Sequence, residues 1–222
     1  MIKGIVFDMD GLMFDTERLS VDAWVRAGAE AGYAVSEALV AGTVGLDIKH
    51  TKRIFAERFG EDFDFDALRS VKLGYVDDFI EKHGMPVKPG LHELLRYLRS
   101  NRYKIALATS TAAARVAYYF EKTGLSEFFD GVVCGDSVQN GKPAPDIFLK
   151  AGELLGLPPA ACLVLEDSPA GILAAHRAGM KPVLIPDLAE PDEEIRRLSF
   201  AQLHSLADVI PLLERCARGD SV

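Results

Sequence analysis

Three carboxylates gather where an apolar run stops. The stretch "IVFDMDGLMFDT" (residues 5–16) ends its hydrophobic part at Asp8 and Asp10, with Asp15 close behind. Like charges about 4 Å apart repel by roughly 4 kcal/mol at an effective dielectric of 20. Such a cluster calls for a cation, or for a proton on one of the acids. Polar residues recur at the ends of other apolar runs. "KIALAT" ends in Thr109-Ser110, the segment after "GVVCGD" holds Lys142, and "CLVL" is followed by Glu166-Asp167. Taken singly, each has an ordinary structural reading. Asp-x-Asp makes a turn, Thr109-Ser110 a loop, Lys142 a solvated charge, and Glu166-Asp167 a pair favoured by a helix dipole. Taken together, the acids suit a hard divalent cation with oxygen ligands, and Mg²⁺ fits. A cation beside a hydroxyl and a lysine suits a phosphoryl group. One carboxylate can then act as the nucleophile, and Asp10 as a general acid/base.

These residues converge only if the apolar runs are neighbouring parallel strands. "GIVF" (4–7), "KIALAT" (104–109), "GVVC" (131–134), "CLVL" (162–165) and "PVLI" (182–185) are short, aliphatic and closed by polar or turn-forming residues. Helix-period segments lie between them, at 91–100, 113–124, 145–156 and 168–179. Ser168 is the expected N-cap of the last, with Pro169 at its first position. The alternation predicts a parallel sheet covered on both faces, with ligands outside the carboxyl ends of its strands. Residues 17–83 break the pattern. They read as helix after helix (17–32, 48–60, 65–84), an insertion hinged near 15–17 and 84–88.

The 222 residues suit one large domain, or one domain with an insertion, and 49% are hydrophobic. A net charge of −8 argues against a nucleic-acid surface. No apolar run approaches the roughly 20 residues that span a bilayer. Three cysteines without a CxxC pair, and a short apolar start with no signal-peptide pattern, predict a reduced, cytoplasmic setting.

Four segments in order carry a family resemblance: "DMDGLMFDT", Thr109-Ser110 in "LATST", Lys142 in "NGKPAPDIF", and Glu166-Asp167 in "LEDSPAGI". The first matches DxDGxxxDT/S. The chain resembles, over nearly its whole length, the haloacid dehalogenase superfamily in its β-phosphoglucomutase- and phosphatase-like branch. The resemblance implies an α/β fold: a Rossmann-like parallel-sheet core at 1–16 and 86–222, with an inserted α-helical cap domain at 17–85. It implies Mg²⁺-dependent hydrolysis of a small phosphorylated metabolite, expected to be a sugar phosphate, by a monomer without nucleic-acid or membrane partners. In that reading Asp8 is the nucleophile that becomes an aspartyl phosphate. Asp10 protonates the leaving alcohol and then activates water. Asp8, the Asp10 carbonyl and Asp167 hold Mg²⁺, with Glu166 beside it. Ser110, next to Thr109, and Lys142 hold the phosphoryl oxygens. Thr16 supports Asp10, Gly11 permits the tight turn, and Asp15 is structural.

The loop "GTVGLDIK" (42–49) resembles the cap loop that faces the site. Lys49 stands where a sugar-phosphate mutase of the family carries an Arg. Two departures favour hydrolysis over transfer: the mutase His position is Ser20 here, and the mutase lysine lines up near Val71, with Lys72 only adjacent. A phosphosugar mutase stays open as an alternative. So, with less support, does a receiver-like signalling module phosphorylated on Asp.

Overall fold

The apolar runs pair as the alternation requires. In a computed structural model, which describes every residue except Val44, Glu61, Ala189, Glu190, Ser221 and Val222, six strands form one sheet. They are β1 (Gly4–Phe7), β2 (Lys104–Thr109), β3 (Gly131–Cys134), β4 (Cys162–Glu166), β5 (Lys181–Leu184) and β6 (Ala201–Gln202). Their order is β3-β2-β1-β4-β5-β6, and every pairing is parallel. On central β1, Ile5 is in register with Ile105 on one side and Leu163 on the other. The chain builds outward from β1 first through β2 and β3, then from β4. The order therefore reverses between β1 and β4, where open α/β sheets bind ligands.

Four helices intervene between β1 and β2: α1 (Thr16–Glu30), α2 (Glu37–Ala41), α3 (Ile48–Phe59) and α4 (Phe65–His83). The later helices are α5 (Leu91–Ser100), α6 (Ala113–Thr123), α7 (Asp146–Leu155), α8 (Pro169–Arg177), α9 (Glu193–Leu198) and α10 (Val209–Arg218). Successive β1 residues point to opposite faces of the sheet. Ile5 and Phe7 pack with α5, α6 and α10, whereas Val6 packs with α7 and α8. The inserted helices have an aromatic core of their own. Trp24 lies against Phe55 (ring centroids 4.8 Å apart) and Phe65 (5.5 Å). Trp24 is thus a packing residue. Among the described residues, no helix is long and apolar enough to cross a membrane.

The two segments joining the insertion to the sheet run side by side. The Asp15 N–H donates to the Pro86 carbonyl at 2.8 Å, and the Lys88 N–H to the Met13 carbonyl at 2.9 Å. Lys88 Nζ lies 3.1 Å from Asp15 and 2.8 Å from Asp187, on the segment after β5. Asp15 therefore has a structural partner on the other connecting segment.

Two expected strands shift by one residue. The run read as 182–185 is β5 at 181–184, and the run read as 162–165 extends to Glu166, so this acid is the last residue of β4 itself. The sequence reading does not contain α2, α9, α10 or β6. Three of these are six residues or shorter, and such pieces show no period.

Candidate active site

β1 delivers the first acid. Asp8 follows the strand directly, and its N–H still bonds the Leu165 carbonyl of β4 at 3.0 Å. Asp8 therefore lies beside Glu166 and Asp167, and all three carboxylates are buried. Lys142, from the loop between β3 and α7, is 1% exposed. Its ammonium lies 2.5 Å from Asp8 Oδ1 and 2.5 Å from Glu166 Oε1. The Glu166 Oε2 accepts from the N–H (3.1 Å) and hydroxyl (2.9 Å) of Ser168. That hydroxyl also caps α8 by accepting from the Gly171 N–H at 3.1 Å, as the sequence predicts.

Lys142 answers only part of the charge problem. Burial, reinforced by Glu166 and opposed by Lys142, raises the Asp8 carboxyl to about 7. Burial and then Glu166 and Asp8 push the Asp167 carboxyl well above its usual range. Burial works against the Lys142 ammonium, but the two carboxylates overcome it and hold the charge in place. Asp8, Glu166 and Asp167 each offer an oxygen, all within 4.8 Å of one another. Among the described residues, no hydrogen bond or ion pair engages the Asp167 carboxylate. An excess of buried, adjacent acid oxygens fits a hard divalent cation such as Mg²⁺. Gly11 adopts φ +79°, and a Cβ there would strike the Asp167 carboxylate, so this close approach needs glycine.

Asp10 faces away from the acid cluster. Its Oδ1 accepts from the Thr16 hydroxyl at 2.6 Å, and its Oδ2 from the Thr111 hydroxyl at 2.7 Å. Thr16 thus holds Asp10 as expected, while Thr111 went unread. Asp10 borders a chamber of about 150 Å³ lined also by Glu17, Ser20, Arg69, Lys72, Arg115 and Tyr119. Beside it lies a cavity of about 430 Å³, bordered by Gly45, Asp47, Lys49, Ser110 and Gly141 and sharing Glu17, Ser20, Arg69 and Lys72. The loop 42–49, Val44 lying outside the described residues, therefore faces the site. The Ser110 hydroxyl donates to the Gly45 carbonyl at 3.3 Å. Thr109 is buried, and its Oγ1 accepts from the Thr111 N–H at 3.1 Å, shaping the turn that carries Ser110. Lys49 is exposed at the cavity rim.

The alignment near Val71 requires a correction. Val71 is 45% exposed on the outside of α4, and Lys72 lines the chamber. A lysine therefore does stand on the chamber side of α4, one residue from the position the resemblance pointed to, and Ser20 lines the same chamber. Glu17, Arg69, Arg115 and Tyr119 also line the chamber without having been singled out. One signal was available: Arg69, Lys72 and Val76 are spaced i, i+3 and i+7 on α4, a single helical face. Burial raises the Glu17 carboxyl to about 8, and Asp10 adds to the effect. Burial also lowers the Lys72 ammonium to about 8.

Known proteins resemble this chain in sequence and in fold. A "Probable pseudouridine-5'-phosphatase" of Drosophila melanogaster is 36% identical over 212 residues, 93% of this chain and 90% of the relative. A "Phosphorylated carbohydrates phosphatase" of Thermotoga maritima is 30% identical over 226 residues, covering 96% and 91%. A crystal structure of β-phosphoglucomutase from Clostridium difficile superposes with a TM-score of 0.82 over 99% of both chains, at 23% identity, which speaks to the fold alone. The family model described as haloacid dehalogenase-like hydrolase matches residues 2–179, which include every acid of the cluster and the loop bearing Lys142. With its Asp8–Lys142–Glu166 contacts set at the switch point of a parallel sheet, the chain belongs to the haloacid dehalogenase-like hydrolases.

Proposed function

We propose that the protein is a Mg²⁺-dependent phosphatase that hydrolyses a small sugar phosphate through an aspartyl phosphate on Asp8. The observation that carries this reading is the buried Asp8–Lys142–Glu166 contact, with Asp167 beside it and Asp10 at the border of the neighbouring chamber. Asp8, the Asp10 carbonyl and Asp167 would hold the metal, with Glu166 adjacent. Bound Mg²⁺ would supply positive charge to the phosphoryl oxygens and keep the Asp8 carboxylate ionised. The Asp8 oxygen attacks phosphorus, and the P–O bond to the sugar breaks. Asp10 gives its proton to the departing oxygen. Asp10, now a carboxylate, takes a proton from water, which attacks the aspartyl phosphate and releases inorganic phosphate and free Asp8. Lys142 and Ser110 hold phosphoryl oxygens through both halves. The inserted helices, residues 17–85, act as a cap that excludes water and selects the leaving group.

The names of the two phosphatase relatives support a sugar-phosphate substrate. One observation keeps the mutase reading in play: Lys72 occupies the chamber wall. The deciding measurement is phosphate release from sugar, polyol and nucleotide monophosphates, with Mg²⁺ or EDTA, in wild type and Asp10→Ala. The expected outcome is Mg²⁺-dependent release that falls about 10²- to 10⁴-fold in the variant. Transfer of phosphate to a second sugar, or a stable phosphoprotein without release, would overturn it.

A further inference from the structure

At the amino edge of the sheet, opposite the edge that carries Asp8, lies another cavity of about 430 Å³. Leu157, Leu213 and the half-buried Cys216 give it an apolar inner surface. Three basic side chains border it: Lys3 just before β1, Arg102 in the turn between α5 and β2, and Lys104 at the start of β2. No aspartate or glutamate does so. The chain has 33 acidic and 25 basic residues, so a pocket with three bases and no acid departs from its general charge.

These charges are largely unengaged. Among the described residues, no hydrogen bond or ion pair holds the side chain of Lys3, Arg102 or Lys104. Lys104 does act on Asp130. Against the effect of burial, however, that carboxyl is held below its usual range first by the Ile105 N–H and by Arg99, and Lys104 contributes least. The Tyr103 hydroxyl, on the same pocket, also has no hydrogen-bond partner among the described residues.

Arg102 adds a second observation. It follows Asn101, the C-terminal cap of α5, and adopts φ +60°. Helices commonly place glycine at this left-handed position, because a Cβ is strained there. Among the described residues, Arg102 is the only non-glycine residue with a positive φ. Its N–H bonds the Arg99 carbonyl at 3.1 Å, which a glycine N–H would do equally well. The backbone therefore has no use for an arginine here, whereas the pocket has a use for a guanidinium.

We propose that this pocket is a second ligand site, which takes a multiply charged anion with an apolar or aromatic body, the chemistry of a nucleoside diphosphate. Arg102, Lys3 and Lys104 engage the charged oxygens, and Arg102 presents a planar pair of donors. Tyr103 and the apolar surface of Leu157 and Leu213 hold the body. The volume lies in the range of small-molecule pockets, roughly 300–1,000 Å³. The length of β1 separates the site from Asp8, and no acid cluster accompanies it, so it binds without chemistry. The inference does not depend on the phosphatase reading.

The test is calorimetric titration of the purified protein in EDTA. ADP is the probe, with adenosine as the body alone and inorganic pyrophosphate as the charge alone. ADP is expected to bind with a Kd below about 1 mM, about tenfold or more tighter than either part. Arg102→Gly should weaken ADP about tenfold and yet raise Tm by about 2–4 °C, because glycine relieves the left-handed strain. Lys3→Gln should weaken ADP as well, while Lys82→Gln, at an exposed lysine of α4, should leave it unchanged. A Kd for ADP above about 10 mM would overturn the inference. Pyrophosphate binding as tightly as ADP would do so too, by reducing the pocket to a patch of charge. ADP binding that survives both Arg102→Gly and Lys3→Gln would place the ligand elsewhere. A lower Tm in Arg102→Gly would remove the argument that the arginine is kept there for a ligand.

Discussion

Lys142 lies within the buried acid cluster, the floor of the site, and Lys72 in the wall of the chamber that Asp10 borders, and the protein holds them in opposite ways. Lys142 is enclosed on the sheet side between two carboxylates at 2.5 Å, and those carboxylates keep it charged. Lys72 stands on the insertion side without an ion pair, and burial lowers its ammonium to about 8. The floor meets a group of fixed shape, the phosphoryl, so its charges can be preorganised by strands and by one another. The wall meets the variable part of a substrate, and charges satisfied in advance by the protein would compete with that substrate.

The largest expected effect separates the two lysines by stability. Lys142→Met leaves Asp8 and Glu166 buried without their cation, which should cost about 3–5 kcal/mol. Lys72→Met removes a buried charge that no ion pair or hydrogen bond engages, so it should change stability by less than about 1 kcal/mol, or raise it. Urea unfolding of both variants in EDTA checks this. Similar losses would mean that Glu17 and Asp10 hold Lys72 as firmly as the acid cluster holds Lys142, and the contrast between floor and wall would fail.

Metal should act on the floor alone, and with a defined pH dependence. Burial raises the Asp8 carboxyl to about 7 and holds Asp167 high as well. Between about pH 4 and 7 the folded, metal-free protein therefore binds more protons than the unfolded chain does. From these groups, its stability falls as pH rises through that window. Metal needs the ionised acids and so binds better at the upper end. Saturation at 100 times the Kd gives about 2.7 kcal/mol of stabilisation. The rise in Tm on adding Mg²⁺ should therefore be at least twice as large at pH 8 as at pH 5. Equal shifts at both values would mean that these acids are not the ligands.

The same contrast decides what the sequence alone could tell. Most of the floor is legible because Asp8, Ser110, Glu166 and Asp167 close or directly follow apolar runs, and parallel pairing brings the ends of such runs to one edge; Lys142 comes from the loop after β3. Asp8, Ser110 and Glu166 are located by strands that the period-2 and aliphatic signals already mark. The wall is not legible in that way. Glu17, Arg69 and Lys72 come from two helices whose relative position depends on how the insertion packs, through Trp24, Phe55 and Phe65. Exposed and cavity-facing charges look alike on a helix until its neighbour is known, and so the sequence alone does not say that Lys72 lines the chamber while Val71 faces outward. Thr111 escaped because a hydroxyl in a loop carries no periodic signal.

The smallest effect tests the loop where insertion and sheet meet. Gly45 adopts φ +76°, and a Cβ there would come within 2.5 Å of the Ser168 hydroxyl and 2.6 Å of its Cβ. That hydroxyl supports Glu166 and caps α8. Gly45→Ala must therefore push the loop 42–49 away from the sheet or displace Ser168. Either movement disturbs the cleft mouth, where Ser110 bonds the Gly45 carbonyl. Gly32 provides a control, since it has a similar φ of +79° but nothing within 4 Å of an added Cβ. Both substitutions carry the backbone strain of a positive φ, about 1–2 kcal/mol. Gly32→Ala should lower Tm through this strain alone and Gly45→Ala by at least as much, while only Gly45→Ala lowers kcat/KM, by about tenfold, because a small misplacement of positioning groups slows reaction strongly. Unchanged kcat/KM in Gly45→Ala would mean that the contact between this loop and Ser168 is not part of the reacting state. The wall charges would then have to meet the leaving group from a more open arrangement of the inserted helices.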